Sequence, residues 1–139
     1  LSMGLHGYQG LLAERQRLIE TFPTRLNEVA EKHGERLLVT PLNSISYGIT
    51  LSGSNVSRLG AMLFSRCVSG TRVVPRGSTK TIGSHTFENF GSSTDEFHTA
   101  YLTAACALGC TENEVDEFLK RLDKTLKEYK KKQSTSSEN

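Results

Sequence analysis

From Thr111 to Lys132 the chain carries one long amphipathic pattern, and it limits the possible folds more than any other stretch. Val115, Phe118, Leu119, Leu122, Leu126 and Tyr129 recur at three- and four-residue steps, so a helix gathers them into one apolar stripe. Thr111 and Glu114 stand at capping-box spacing and fix where that helix begins. Acids open it (Glu112, Glu114, Asp116, Glu117) and lysines close it, the order that complements the helix dipole. Such a helix needs a core to lie on. Lys120, Lys124, Lys127 and Lys131 fall opposite the stripe, nearly in line. This is a strip that phosphates could use, and it is equally the solvated face of an ordinary surface helix.

The rest of the chain supplies the core. Residues 5–33 are expected to be helical, with Leu11, Leu12, Leu18, Ile19, Phe22, Leu26, Val29 and Ala30 on one stripe. Pro23 is expected to kink or restart that helix, and Gly34 to cap its end. Strands are expected at 36–40 and 44–51, the second half-buried by the alternation of Ile45, Tyr47, Ile49 and Leu51. A helix at 56–68 is expected to be capped by Ser54 or Asn55, to face inward through Val56, Leu59, Met62 or Leu63, and Phe64, and to break at Ser69-Gly70. Val73-Val74 reads as an edge strand ended by Pro75. Residues 76–80 read as a basic turn, 81–90 as extended with Ile82, Phe87 and Phe90, 91–97 as a polar loop, and 98–109 as a short Ala-rich helix. Residues 133–139 contain no apolar side chain and are expected to form a disordered tail, leaving one domain over 1–132. The fold class is α+β, a small, mainly antiparallel sheet with flanking helices.

Composition removes several functional classes. No apolar run approaches the ~18 residues of a membrane span, and these residues show no charged start followed by the apolar centre of a secretory leader. The net charge of +2 is too small to mark a nucleic-acid binder by itself. Cys67, Cys106 and Cys110 offer no zinc-like spacing, so no metal site is expected. Cys106 and Cys110, four apart on an expected helix, should share a face as buried reduced thiols, which suits a reducing compartment. Lys80, in Gly77-Ser78-Thr79-Lys80-Thr81, resembles a phosphate loop only superficially, because the glycine before the lysine is missing. His6, His33, His85 and His98 are scattered and suggest surface or capping roles. The chain starts in mid-pattern with Leu1, which suggests a piece of a longer protein.

One segment is more specific. Met62 to Pro75 reads as a helix ending on Arg66, a Ser-Gly turn, and a β-branched run holding Arg72. With it go, in order, Gly7-Tyr8, Leu11-Leu12, Glu14-Arg15, Glu35-Arg36-Leu37-Leu38, Thr40-Pro41, Asn43, Ile45-Ser46, Thr86-Phe87, Ala100-Tyr101-Leu102 and Lys120-Arg121-Leu122-Asp123. Together these resemble the C-terminal domain of the O-phosphoseryl-tRNA:selenocysteinyl-tRNA synthase family. The resemblance implies the small domain of a fold type I transferase that depends on pyridoxal phosphate. It also implies tRNA(Sec) as partner, selenophosphate as co-substrate, a homotetramer, and a cytoplasmic location. The Schiff-base lysine would lie upstream of Leu1, so no catalytic or cofactor residue is expected in this chain, and the chain alone would be inactive. By the same resemblance Arg66 contacts the discriminator base and Lys131 the acceptor arm. Arginine's fork can donate to guanine O6 and N7 together, which suits the first role. Glu88 stands where the family carries a basic residue, so an RNA role for that strand is not expected. No role is implied for Arg58, Arg72, Arg76 or Lys80. Two other readings remain: the small domain of another fold type I lyase or desulfurase, in which an arginine would bind a substrate carboxylate, and a free-standing RNA-binding domain.

Overall fold

The computed structural model describes residues 3–92, 94 and 96–136. Three helices cover a three-stranded antiparallel sheet, and a separate hairpin stands apart. Helix α1 (Gly4–Glu31) runs on through Pro23 without restarting. Leu18, Phe22, Leu26, Val29 and Ala30 are buried. Leu11 and Leu12 are only partly covered, and Met3, Leu5 and Tyr8 are exposed, so only the second half of α1 reaches the core. The helix ends as expected at Gly34, whose φ of 72° is the left-handed value glycine tolerates. Its closing bonds run from the Glu35 N–H to the Ala30 carbonyl (3.0 Å) and from the Gly34 N–H to the Glu31 carbonyl (3.1 Å).

Of the two strands expected next, only β1 (Ser46–Leu51) forms fully. The first shrinks to an antiparallel bridge between Leu37 and Ile49. The Leu38 N–H donates to the Gly48 carbonyl (2.8 Å) and the Thr50 N–H to the Arg36 carbonyl (2.9 Å). Beyond Leu38 the chain leaves the sheet: Pro41 has no N–H to donate, and Val39 and Leu42 are exposed. The half-buried pattern expected for β1 is also overturned. Gly48 and Thr50 are covered like Tyr47, Ile49 and Leu51, because Glu35 and Leu38 close the second face. Ile45 stays exposed.

Helix α2 is shorter than expected, Ser57–Phe64. No side chain caps its start, and Asn55 instead takes a positive φ. Leu59 and Leu63, one turn apart, face inward, which turns Phe64 out to solvent. Strand β2 (Arg72–Val74) is an edge strand as expected.

The larger correction concerns residues 98–109, where a strand replaces the expected helix. Strand β5 (Ala100–Ala105) is the centre of the sheet, in the order β1-β5-β2. Ala100, Leu102 and Ala104 are buried and alternate with less covered neighbours, the two-residue period of a strand. Ile49 and Val73 pair with Leu102 from either side. Alanine's helix preference, a few tenths of a kcal/mol per residue by the ~0.7 kcal/mol span of ordinary residues, is overridden by pairing on both edges. Cys106 and Cys110 therefore do not share a helix face. Cys106 follows β5 and Cys110 lies in the turn before the last helix. Cys106 is buried as expected, Cys110 only partly and Cys67 not at all; desolvation pushes the Cys106 and Cys110 thiols above their usual range.

The extended 81–90 region is a hairpin, β3 (Lys80–Ile82) and β4 (His85–Phe87), turning at Gly83-Ser84. Arg76-Gly77 form a separate turn inside the expected 76–80 segment, whose last residue, Lys80, already belongs to β3. Phe87 is half exposed and meets Phe90 edge-on at 6.4 Å, while the Lys80 ammonium sits 4.8 Å from the Phe90 ring.

Helix α3 (Glu112–Ser136) has the expected capping box. The Thr111 N–H donates to Glu114 Oε2 (2.8 Å), and the Glu114 N–H returns to Thr111 Oγ1 (3.3 Å). Val115, Leu119, Leu122, Leu126 and Tyr129 are buried and Phe118 partly so. The helix continues through Ser136, so the first residues of the expected tail are helical; 137–139 lie outside the described residues. Helix α1 packs on β1 and α2 on β2, while α3 packs against both α1 and α2. Arg25 on α1 pairs with Glu112 and Asp116, and His33 meets Asp123 at 2.8 Å, which fastens the two long helices together.

Candidate nucleic-acid interface

Arg66 is placed by the way α2 stops. The helix closes with paired bonds, from the Val68 N–H to the Leu63 carbonyl and from the Cys67 N–H to the Phe64 carbonyl, both 3.0 Å. That motif requires a left-handed residue just past the helix end. Here it is Cys67 at φ 56°, not the Ser69-Gly70 pair. Arg121 on α3 then donates to the carbonyls of Arg66 (3.0 Å) and Cys67 (3.2 Å), filling acceptors that the helix end leaves open. Arg121 is itself held by Glu117 at 2.8 Å.

The Arg66 side chain turns back along α3. Its Nη1 donates to the Met62 carbonyl (2.9 Å) and its Nη2 to Glu128 Oε2 (2.5 Å). The side chain remains one-quarter exposed. Lys131 is exposed on α3, three residues past Glu128, and residues at that spacing are neighbours on a helix surface. The two candidate RNA-binding residues, 65 positions apart in sequence, are thus brought to one side of the last helix. Lys120, Lys124 and Lys127 are exposed as expected, and Lys120 lies 3.7 Å from Glu117.

A second polar cluster fixes the end of α3. Glu35 is buried, yet its carboxylate accepts bonds from Thr50 Oγ1 (2.7 Å), the Ser52 N–H (2.8 Å) and Ser52 Oγ (2.6 Å), and pairs with Lys130. Burial alone would raise the Glu35 pKa; the bonds from Lys130, Ser52 and Thr50 outweigh it and hold the carboxyl below its ordinary value. Tyr129 Oη donates to the Ser54 carbonyl (2.8 Å), and Gln133 Nε2 donates to the same oxygen (2.6 Å). Glu35 and Arg121 stood in the sequence reading only as parts of the family motifs, with no role assigned, and Glu128, an acid inside a lysine run, was not named.

An open cleft of about 640 Å3 lies between the turn after α2, the segment after β5 and the start of α3. Cys67, Cys106, Cys110, Glu114, Glu117 and Arg121 line it, and no lysine does. A pyridoxal phosphate site needs a lysine for the Schiff base and groups for the pyridinium nitrogen and phosphate. The described residues that line this cleft do not fit that cofactor. Among the described residues no group of three or more His, Cys, Asp or Glu could hold a metal ion, and no helix is long and apolar enough to cross a membrane.

A short antiparallel sheet under two long helices and one short one defines the class, a small α+β domain of the kind found in an archaeal O-phosphoseryl-tRNA(Sec) selenium transferase. The crystal structure of that protein superposes with a TM-score of 0.75 over 89% of this chain and 26% of its own, at 21% identity. Residues 1–127 match the family model described as O-phosphoseryl-tRNA(Sec) selenium transferase, SepSecS. The chain belongs to this family. A Dictyostelium discoideum protein of that name is 40% identical over 145 residues, covering 89% of this chain and 30% of the relative. A Caenorhabditis briggsae protein of the same name is 38% identical over 109 residues, covering 76% of this chain and 23% of the relative. The chain therefore spans less than a third of the relatives it matches.

Proposed function

We propose that this chain is the C-terminal small domain of an O-phosphoseryl-tRNA(Sec) selenium transferase and that it holds the acceptor arm of tRNA(Sec). Arg66 donates to the edge of the discriminator base, and Lys131 contacts the acceptor-arm backbone. The whole enzyme converts O-phosphoseryl-tRNA(Sec) to selenocysteinyl-tRNA(Sec) with selenophosphate, as a cytoplasmic homotetramer. Pyridoxal phosphate and its electron-sink chemistry belong to the part of the protein outside this chain. The work of these residues is to bind and orient.

One observation carries the reading: Arg66 is anchored to Glu128, one helical turn from Lys131. A planar fork for a base and a point charge for a phosphate thus stand side by side. The names of the relatives support the substrate class. The test is binding of acceptor-stem RNA hairpins by the full-length protein and by Arg66→Ala. The variant should lose ~1–3 kcal/mol of preference for a guanine discriminator over other bases. An unchanged preference refutes the assignment.

A further inference from the structure

Between Lys124 and Lys132 the sequence has five lysines and a single acid, Glu128. Lys124, Lys131 and Lys132 lie four before, three after and four after it, so all three are its neighbours on the helix surface. Lys130 is directed elsewhere, to Glu35 and Ser52. A carboxylate in the middle of a strip proposed to meet RNA repels every phosphate that approaches. It is also the group that grips Arg66, and both partners remain reachable from solvent, at 25% and 39% side-chain exposure.

The grip affects two kinds of contact in opposite ways. For a phosphate, Glu128 offsets the positive charge of Arg66 and occupies part of its fork. A guanine edge is neutral and needs aligned N–H groups more than net charge. Guanidinium has five N–H donors, and two are engaged by Met62 and Glu128, which leaves three in a fixed plane. The Arg66 backbone is tied down as well, through Arg121. We infer that Glu128 is a specificity-determining residue: it holds Arg66 ready for a neutral base edge and makes it a poor phosphate ligand. This rests on the role proposed above for Arg66.

The test uses the full-length protein, Glu128→Gln, Arg66→Ala and the double variant. The probes are labelled acceptor-stem hairpins ending in one unpaired guanosine or adenosine, titrated over a range of salt. Glu128→Gln keeps the shape and removes the charge. It should bind both hairpins more tightly, with a salt dependence steeper by about one phosphate contact. Its preference for guanosine should fall about fivefold or more, the lower end of the worth of one bidentate arginine–guanine contact. In the Arg66→Ala background the same change should not alter base preference. The inference is overturned if Glu128→Gln leaves affinity, salt slope and preference unchanged, or weakens both hairpins equally. If Arg66→Ala lowers the preference while Glu128→Gln preserves it, only the role of Glu128 falls. If Arg66→Ala has no effect on preference, the reading of Arg66 falls and that of Glu128 with it.

Discussion

Lys130, near the end of the last helix, pairs with Glu35, a carboxylate only 2% exposed just past the end of the first. Two residues 95 positions apart thereby tie the end of α1 and the end of α3 to each other and to Ser52. Removing one partner from a buried pair costs more than the pair itself contributes, because the survivor is left without compensation. Glu35→Ala is therefore expected to destabilise the domain by about 3 kcal/mol, measured by urea unfolding.

The same carboxyl gives a pH signature. Its folded pKa lies below the ordinary carboxylate value of 4.5, so its contribution is complete above that value and fades as pH drops through the lower folded one. The stability gap between wild type and Glu35→Gln should be widest at neutral pH and close on acidification below 4.5. A gap that widens in acid would contradict the assignment.

Cys67 closes α2 from the left-handed region at φ 56°. That conformation costs a residue with a side chain about 1–2 kcal/mol, part of which glycine gives back through its freer unfolded state. Cys67→Gly should raise stability by about 0.5–1 kcal/mol, seen as a higher melting temperature. Cys67→Ala should bring no such gain.

Leu102 is fully buried at the middle of the central strand, between Ile49 and Val73. Leu102→Ala should cost ~2–5 kcal/mol through lost burial and the cavity left behind. Equilibrium denaturation measures it.

Lys131→Ala should weaken acceptor-arm binding equally for every discriminator base and flatten the salt dependence by about one contact. Nitrocellulose filter binding at several ionic strengths reads both effects. A salt slope identical to wild type would leave Lys131 as a solvated lysine only.

Where one element supplied its own signal, the sequence could be read directly. The stripe from Val115 to Tyr129, the Thr111–Glu114 box and Gly34 are local features, and they appear where periodicity and capping rules put them. Residues 98–109 were misread because alanine is a good helix former, and what makes Ala100–Ala105 a strand is its pairing with β1 and β2, which the stretch itself does not encode. The inward turn expected of Phe64 failed for a similar reason. Leu59 and Leu63 already set the buried face of α2. At the candidate interface Arg66 and Lys131 were named through the family resemblance, and the acids and clamps that set their geometry were given no role. Nothing local pairs Arg66 with Glu128, 62 residues away, or sends Arg121 to the end of α2.

The strand order has a consequence for how the chain assembles. The central strand is the last in sequence, and β1 and β2 never touch each other in the sheet; each pairs with β5. Until residue 100 is available, neither can complete its ladder, and both present open edges of the kind that recruit other chains. The pairing of β1 with β5 therefore waits for contacts spanning some fifty residues, and contacts so distant in sequence form more slowly than local ones. During synthesis, β1 and β2 emerge before their shared partner, and Ala100–Ala105 is the piece that joins them into a sheet.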